Sequence, residues 1–256
     1  AILRETGAWI RRNAESIYGT SPSPLGRQPW GCITARPGSL YLHVLNWPRG
    51  GALWIHGLRA GIKSARWLVS GKTVSCGTKG GFLRIQLPET PPDRPAAVIA
   101  LEVRGRITVS RSAAVLHPGL VNEMDAPFAV LKKCRHGKQS WMEKFGDWHH
   151  ADLIEKWEAG GTASWRFVLP EPGLFRLYAD YDCREDANDS EWEVTVGRNR
   201  WLFPVMATGG GAFGRTRIRR ERLGVIHLPR ADAYTLTIRA CNEKAGQAMY
   251  LQRLAL

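Results

Sequence analysis

From Trp30 onward, apolar side chains recur at every second position in short runs, and glycine or proline closes most of those runs. A period of two sends successive side chains to opposite faces of an extended strand, so a chain with this pattern folds as sheets. Tyr41-Leu42-His43-Val44-Leu45 ends at Asn46-Trp47-Pro48, and Ala52-Leu53-Trp54-Ile55 is followed by Gly57. Ala65 to Val69 leads into a Ser70-Gly71-Lys72 turn, Phe82 to Leu87 stops at Pro88, and Ala97 to Val103 follows a loop rich in proline and aspartate. A second block begins near Gly146. Ser164 to Leu169 and Leu174 to Ala179 flank Pro170-Glu171-Pro172-Gly173 as a hairpin. Glu191 to Val196, Arg200 to Phe203, Gly224 to Leu228, Tyr234 to Ile238 and Met249 to Leu254 complete the block.

Short strands at this spacing, with no alternating helices, argue against a parallel α/β fold. The fold class expected is all-β: two antiparallel β-sandwich domains in tandem, preceded by one N-terminal α-helix. The expected division is 1–25 for the helix, 26–110 for the first sandwich, 111–145 for a linker and 146–256 for the second sandwich. Within the linker Phe128 to Leu131 reads as one strand. In the helix Leu3, Ile10 and Ile17 recur at heptad spacing beside Trp9 and Ala14, Thr6 is a candidate N-cap, and Pro22 and Pro24 forbid continuation. The chain opens on residues that already read as helix interior, so its start is expected upstream. The 256 residues suit one large domain or two ordinary ones.

The formal net charge is +13, which raises the question of a polyanionic partner. The arginines are spread along the chain. In the densest cluster Arg215, Arg217 and Arg219 alternate with Thr216 and Ile218, ahead of Arg220 and Arg222, as a strand with one solvated basic face. No zinc-finger spacing, aromatic RNA-binding motif or helix-turn-helix accompanies them, so a nucleic-acid partner is not expected. No apolar run approaches the length that crosses a bilayer, so neither is a membrane. The five cysteines are far apart with no CxxC pair, which leaves at least one free thiol and room for one or two disulfides.

Carboxylates and histidines are the remaining carriers of chemistry. A retaining glycosidase needs two carboxyl groups about 5–5.5 Å apart. Glu191 and Glu193 share a strand face, which reads as solvent-facing, and Glu185, Asp186 and Asp189 sit in a loop. Glu15 is expected to pair with Arg11 or Arg12 one helical turn back. His149-His150 between Asp147 and Asp152 suggests a metal site, but adjacent strand residues point to opposite faces, so no metal is expected. No catalytic residue and no cofactor is assigned. Eleven tryptophans are many. Most fit a sandwich core, as Trp165 would, yet sugar C–H faces also stack on aromatic rings. Trp192, Trp201, Tyr178, Tyr181, Asp182 and Arg184 lie in or near one loop-and-strand region and are the candidate carbohydrate-binding residues.

Two stretches resemble a known family. Gly7-Ala8-Trp9-Ile10-Arg11-Arg12-Asn13-Ala14-Glu15-Ser16-Ile17-Tyr18-Gly19-Thr20 is similar to the G-x-W-L-x-x-N-G-E-x-I-Y-G-T segment of glycoside hydrolase family 29, the α-L-fucosidases, with Ala14 in place of glycine. Trp30-Gly31 through Thr34, then Tyr41-Leu42-His43-Val44 and Trp47-Pro48, resembles the family's W-G-x-T and Y-L-H-V-x-x-W-P strand, and Leu87 to Leu101 resembles the end of that domain. The resemblance implies a late barrel helix followed by the family's C-terminal sandwich. It also implies a parent reaction of terminal α-L-fucoside hydrolysis with retention, and a secreted or periplasmic location. The family's nucleophile and acid/base come from the barrel before this helix, so the catalytic barrel is the expected partner and the chain alone is expected to be inactive. Residues 146–256 more loosely resemble a carbohydrate-binding-module sandwich, for which a glycan is a possible partner. Such modules often hold calcium through acidic residues, and here Gln252-Arg253 stands where the late acidic ligand would be. An independent lectin-like protein is the alternative.

Overall fold

The computed structural model describes residues 2–23, 25, 28–109, 114–184, 190–209, 216–242 and 249–256, with the side chain of residue 143 left aside. They form two compact units: Ala1–Leu120 with Val168–Pro170, and Val121–Phe167 with Glu171–Leu256. Antiparallel sheets dominate both, with a single α-helix among the described residues. That helix is not long and apolar enough to cross a membrane.

The first unit starts with α1 (Ile2–Arg12) and a 3-10 turn (Ala14–Ser16), followed by β1 (Ser21–Pro22), β2 (Gly31–Arg36) and β3 (Ser39–Val44). Next come β4 (Ala52–His56), β5 (Gly61–Trp67), β6 (Cys76–Lys79), β7 (Phe82–Gln86), β8 (Ala97–Arg104) and β9 (Ala114–Val115). One sheet runs β1-β2-β3-β8-β5 and the other β4-β7-β6. Leu40, Leu42, Ile99 and Leu101 of the first share a core with Leu53, Ile55 and Ile85 of the second, around a fully buried Trp30. Burial is continuous along β3 from Leu40 to Val44, because α1 covers the sheet's other face. The Trp9 ring packs on Tyr41, Leu68, Val98 and Ala100, and its Nε1 donates to the Ala96 carbonyl at 2.7 Å.

The helix is shorter than its heptad suggests. After Arg12 the Asn13 Nδ2 donates back to the Trp9 carbonyl at 3.0 Å, a local bond of the kind that competes with helix continuation. Glu15 pairs with neither Arg11 nor Arg12. It accepts from the Tyr41 hydroxyl at 2.8 Å and faces Arg66 at 3.5 Å, while Arg12 bonds Asp93 at 3.0 Å. Tertiary partners thus replace the intrahelical pair, which is worth only a few tenths of a kcal/mol (about 0.3) on an exposed helix.

The second unit contains β10 (Glu123–Asp125), β11 (Val130–Lys132), β12 (Arg135–Lys144), β13 (Asp147–Glu155), β14 (Thr162–Val168) and β15 (Gly173–Cys183). It continues with β16 (Ser190–Val196), β17 (Asn199–Val205), β18 (Arg219–Leu228), β19 (Ala233–Ala240) and β20 (Met249–Ala255). One sheet runs β12-β13-β20-β15-β18 with β10 on β20, and the second runs β11-β14-β19-β16-β17. Phe167, Leu177, Tyr181, Trp192, Ile238 and Leu251 are fully buried. Trp157 meets Trp192 edge-on at 4.8 Å, and its Nε1 reaches the Ile154 and Met249 carbonyls at 3.2 and 3.1 Å. Trp165 is in the core as expected, donating to the Asp125 carbonyl at 2.9 Å.

Residues 114–144, read from the sequence as mostly linker, carry β9 to β12. Pro118-Gly119 and Asp125-Ala126-Pro127 do interrupt them, but β12 is a long strand whose polar composition hid its alternation. Of the arginine cluster, Arg215 lies outside the described residues, and β18 begins only at Arg219. All five cysteines are free thiols, and burial pushes Cys134 up to about 11, which keeps it protonated at neutral pH.

The packing of the first unit is testable at two positions. Gly31 sits at φ +154°, where an added Cβ would lie 1.9 Å from the His43 carbonyl oxygen in the paired strand. Gly31→Ala should therefore destabilise this unit by about 3 kcal/mol or more in chemical denaturation. His117 is buried, its Nε2 accepts the Trp54 amide at 3.3 Å and its Nδ1 lies 3.0 Å from the Pro118 carbonyl. This fits a neutral ring, and burial pushes its pKa down to about 4. The unfolded chain then takes up this proton below about pH 6.5, before the folded unit does. Stability is complete above that pH and should fall by up to about 3 kcal/mol towards pH 4, His43 adding in the same direction. His117→Gln should flatten the slope in denaturation measured across this range.

Candidate carbohydrate-binding surfaces

The six candidate side chains do not converge. Trp192 is fully buried with its Nε1 on Ser190 Oγ at 3.1 Å, and Tyr181 is fully buried with its hydroxyl accepting the Met206 amide at 3.3 Å. Neither ring offers a face to a sugar. Trp201 stands opposite Val194 on the inner face of its sheet, half-buried over Gly224, where a Cβ would come within 2.8 Å of Nε1. Asp182 is buried and accepts from Thr208 Oγ1. Tyr178, three residues before Tyr181, faces the other side of β15, half-buried beneath the Arg220 guanidinium 5.9 Å away. Arg184 is exposed just past the end of β15. Nearness in sequence concealed this separation: the tryptophans and Tyr181 serve the core, and only Tyr178, Trp201 and Arg184 keep exposed surface.

Charge is absorbed on the face that Tyr178 shares. Arg220 Nε and Nη2 grip the two carboxylate oxygens of Asp180, both at 2.7 Å, a bidentate pair. Hydrogen bonding to Asp180 holds the Arg220 pKa above its ordinary value. Arg253 lies among three carboxylates, bonded to Glu123, with Nε 3.2 Å from Asp125 and 3.8 Å from Asp180. A guanidinium thus offsets the charge of this carboxylate cluster. On the other sheet Glu193 is not solvent-facing: it is buried between Arg200 and Arg239, the latter at 3.2 Å, while Glu191 stays exposed. Arg253→Ala should leave the three carboxylates repelling one another and cost the second unit about 2 kcal/mol in urea denaturation, discounted for partial exposure.

A separate surface comes from the β12–β13 hairpin. Its strands pair from Arg135↔Glu155 to Lys144↔Asp147 around Gly146 at φ +82°, with a bulge at Met142/Lys144. Among the described residues Ile154 alone of β13 registers with β20, at Leu251, so the ribbon continues past that neighbour. One face is committed: Ala151 and Leu153 are buried, Gln139 bonds Thr216, and Trp141 stacks on His149 at 5.4 Å and 17°. The other face presents Met142 opposite Trp148, Ser140 opposite His150 and Lys138 opposite Asp152, all exposed. Trp148 is 59% exposed and Phe145, at the turn, completely so. Ser140 Oγ lies 2.8 Å from His150 Nδ1, and Lys138 Nζ 3.6 Å from Asp152. His149 and His150 point to opposite sides, as the alternation requires. Sequence reading missed this surface because its linker boundary cut the hairpin at its turn; the turn residues Phe145-Gly146-Asp147 were the available signal.

No family model matches the chain, and no curated protein does. Among solved structures it is similar to an α-L-fucosidase from Vibrio sp. strain EJY3, at 25% identity and a TM-score of 0.60, over 99% of this chain and 44% of that one. The chain thus spans less than half of that enzyme's length. It is also similar to α-L-fucosidase isoenzyme 1 from Paenibacillus thiaminolyticus, at 32% identity over 41% of this chain and 26% of that one, with a TM-score of 0.38. A family 35 carbohydrate binding module from Clostridium thermocellum matches at 16% identity over 53% of this chain and 97% of that one, with a TM-score of 0.42. Of these three, the Vibrio enzyme superposes well enough for its fold to be compared with this one. The resemblance to the α-L-fucosidases carried by Gly7 to Thr20 and Trp30 to Pro48 is therefore matched by a likeness of fold along nearly the whole chain.

Proposed function

We propose that this chain is the non-catalytic C-terminal part of an α-L-fucosidase, that its first unit supports the catalytic barrel, and that its second unit binds glycan. The parent activity would be hydrolysis of terminal α-L-fucosides with retention, in a secreted or periplasmic enzyme. The observation that carries this reading is the likeness over 99% of the chain to less than half of a fucosidase. An apolar surface supports it. Helix α1 buries none of its residues completely, and Ile2 and Leu3 are 79% and 88% exposed, with Tyr18 and Leu45 also exposed in the same unit. Exposed apolar side chains of this size on a helix expect a partner surface, here the barrel. Within the second unit, Tyr178 and Arg184 of the six candidates retain surface a sugar could use. An independent lectin-like protein would share the glycan-binding half of this proposal and lack the barrel. Incubated with 4-nitrophenyl α-L-fucoside, the chain by itself should release no nitrophenol above the uncatalysed rate. Measurable turnover would contradict the assignment.

A further inference from the structure

We infer that the outward face of the β12–β13 hairpin is an oligosaccharide subsite, separate from the six residues marked in the sequence, with Trp148 as its stacking platform. The inference rests on the reading of the second unit as glycan-binding and gives that reading a place. A sugar offers an apolar C–H face and a rim of hydroxyls, so its receptor needs an exposed aromatic ring with donors and acceptors beside it. The hairpin supplies both on one face. Trp148 lies at its outer end with Met142 opposite, and Phe145 is fully exposed at the adjacent turn. The next pair inward is Ser140 with His150, whose 2.8 Å contact uses Nδ1 and leaves Nε2 for a hydroxyl. The pair after that is Lys138 with Asp152, an exposed donor beside an exposed acceptor. Along a strand, side chains on one face repeat every two residues, about 6.8 Å, so the three rows span roughly 14 Å. That length suits a short oligosaccharide better than a single monosaccharide.

The opposite face explains why this one is available in a fixed shape. Ala151 and Leu153 are buried and Gln139 bonds Thr216, so the inner part of the ribbon is held from behind. An aromatic ring held in place costs less ordering entropy on binding than one on a loose loop.

The test uses the full chain labelled with 5-fluorotryptophan, the Trp148 resonance being assigned with Trp148→Phe. 2′-Fucosyllactose and cellotetraose are titrated separately into the millimolar range. The expected result is a shift of the Trp148 resonance with at least one sugar. Trp148→Ala should then weaken binding by about tenfold or more, and His150→Ala by a smaller factor. Both side chains are exposed, so the variants should keep the thermal unfolding of the parent, which circular dichroism checks. No binding of either sugar, or binding that leaves the Trp148 resonance unmoved, overturns the subsite. Binding of 2′-fucosyllactose elsewhere on the chain would sink the subsite alone. Trp148-dependent binding of cellotetraose without 2′-fucosyllactose would uphold the subsite and weigh against a fucosidase parent.

Discussion

The Trp9 indole lies across Tyr41, Val98 and Ala100 with its N–H on the Ala96 carbonyl, and it closes a sheet face that would otherwise be bare apolar surface. A β-sandwich ordinarily buries one face of each sheet and leaves the other to solvent. Here β8 is apolar on both faces and β3 is buried on both, so the first unit is incomplete without α1. The same dependence explains the polar ties around the helix end, where Glu15 accepts from Tyr41 and the Ser16 carbonyl accepts from Thr34 at 2.6 Å. Such bonds fix the direction of a helix that hydrophobic contact alone would leave free to slide.

The second unit meets a similar problem with charge. Strand β15 carries Asp180 and Asp182 instead of apolar residues near its end, and both are buried. Buried carboxylates need partners, and Arg220, Arg253 and Thr208 provide them. Four arginines, Arg200, Arg220, Arg239 and Arg253, are bound in this way to carboxylates of their own chain.

Most of the fold was legible because alternation of apolar side chains is the physical cause of sheet burial as well as its sign. The strands around Tyr41, Leu53, Phe82, Ile99, Phe167, Leu177, Val194, Ile238 and Leu251 lie along the chain where the pattern puts them, but those around Phe167 and Leu177, read as one hairpin, belong to different sheets. Strand β12 was not legible, since Arg135, Lys138, Gln139 and Ser140 give no hydrophobic contrast. The candidate site was the least legible part. A tryptophan in a strand has the same sequence environment whether it faces the core or the solvent, and sheet pairing decides which. Trp192 and Trp148 are the two outcomes of that choice.

A ribbon that continues beyond its sheet also has an outer edge, and among the described residues no strand pairs with the far side of β12. Such an edge, tipped by Trp148 and Phe145, invites pairing with another copy. Strand β12 carries Arg135, Lys138 and Lys144 along that edge, and a bulge interrupts its register at Met142. A second copy approaching edge-on would bring like charges together and meet a broken ladder. These three basic residues would then act as a guard against self-association, letting the hairpin display aromatic rings without becoming sticky to its own kind.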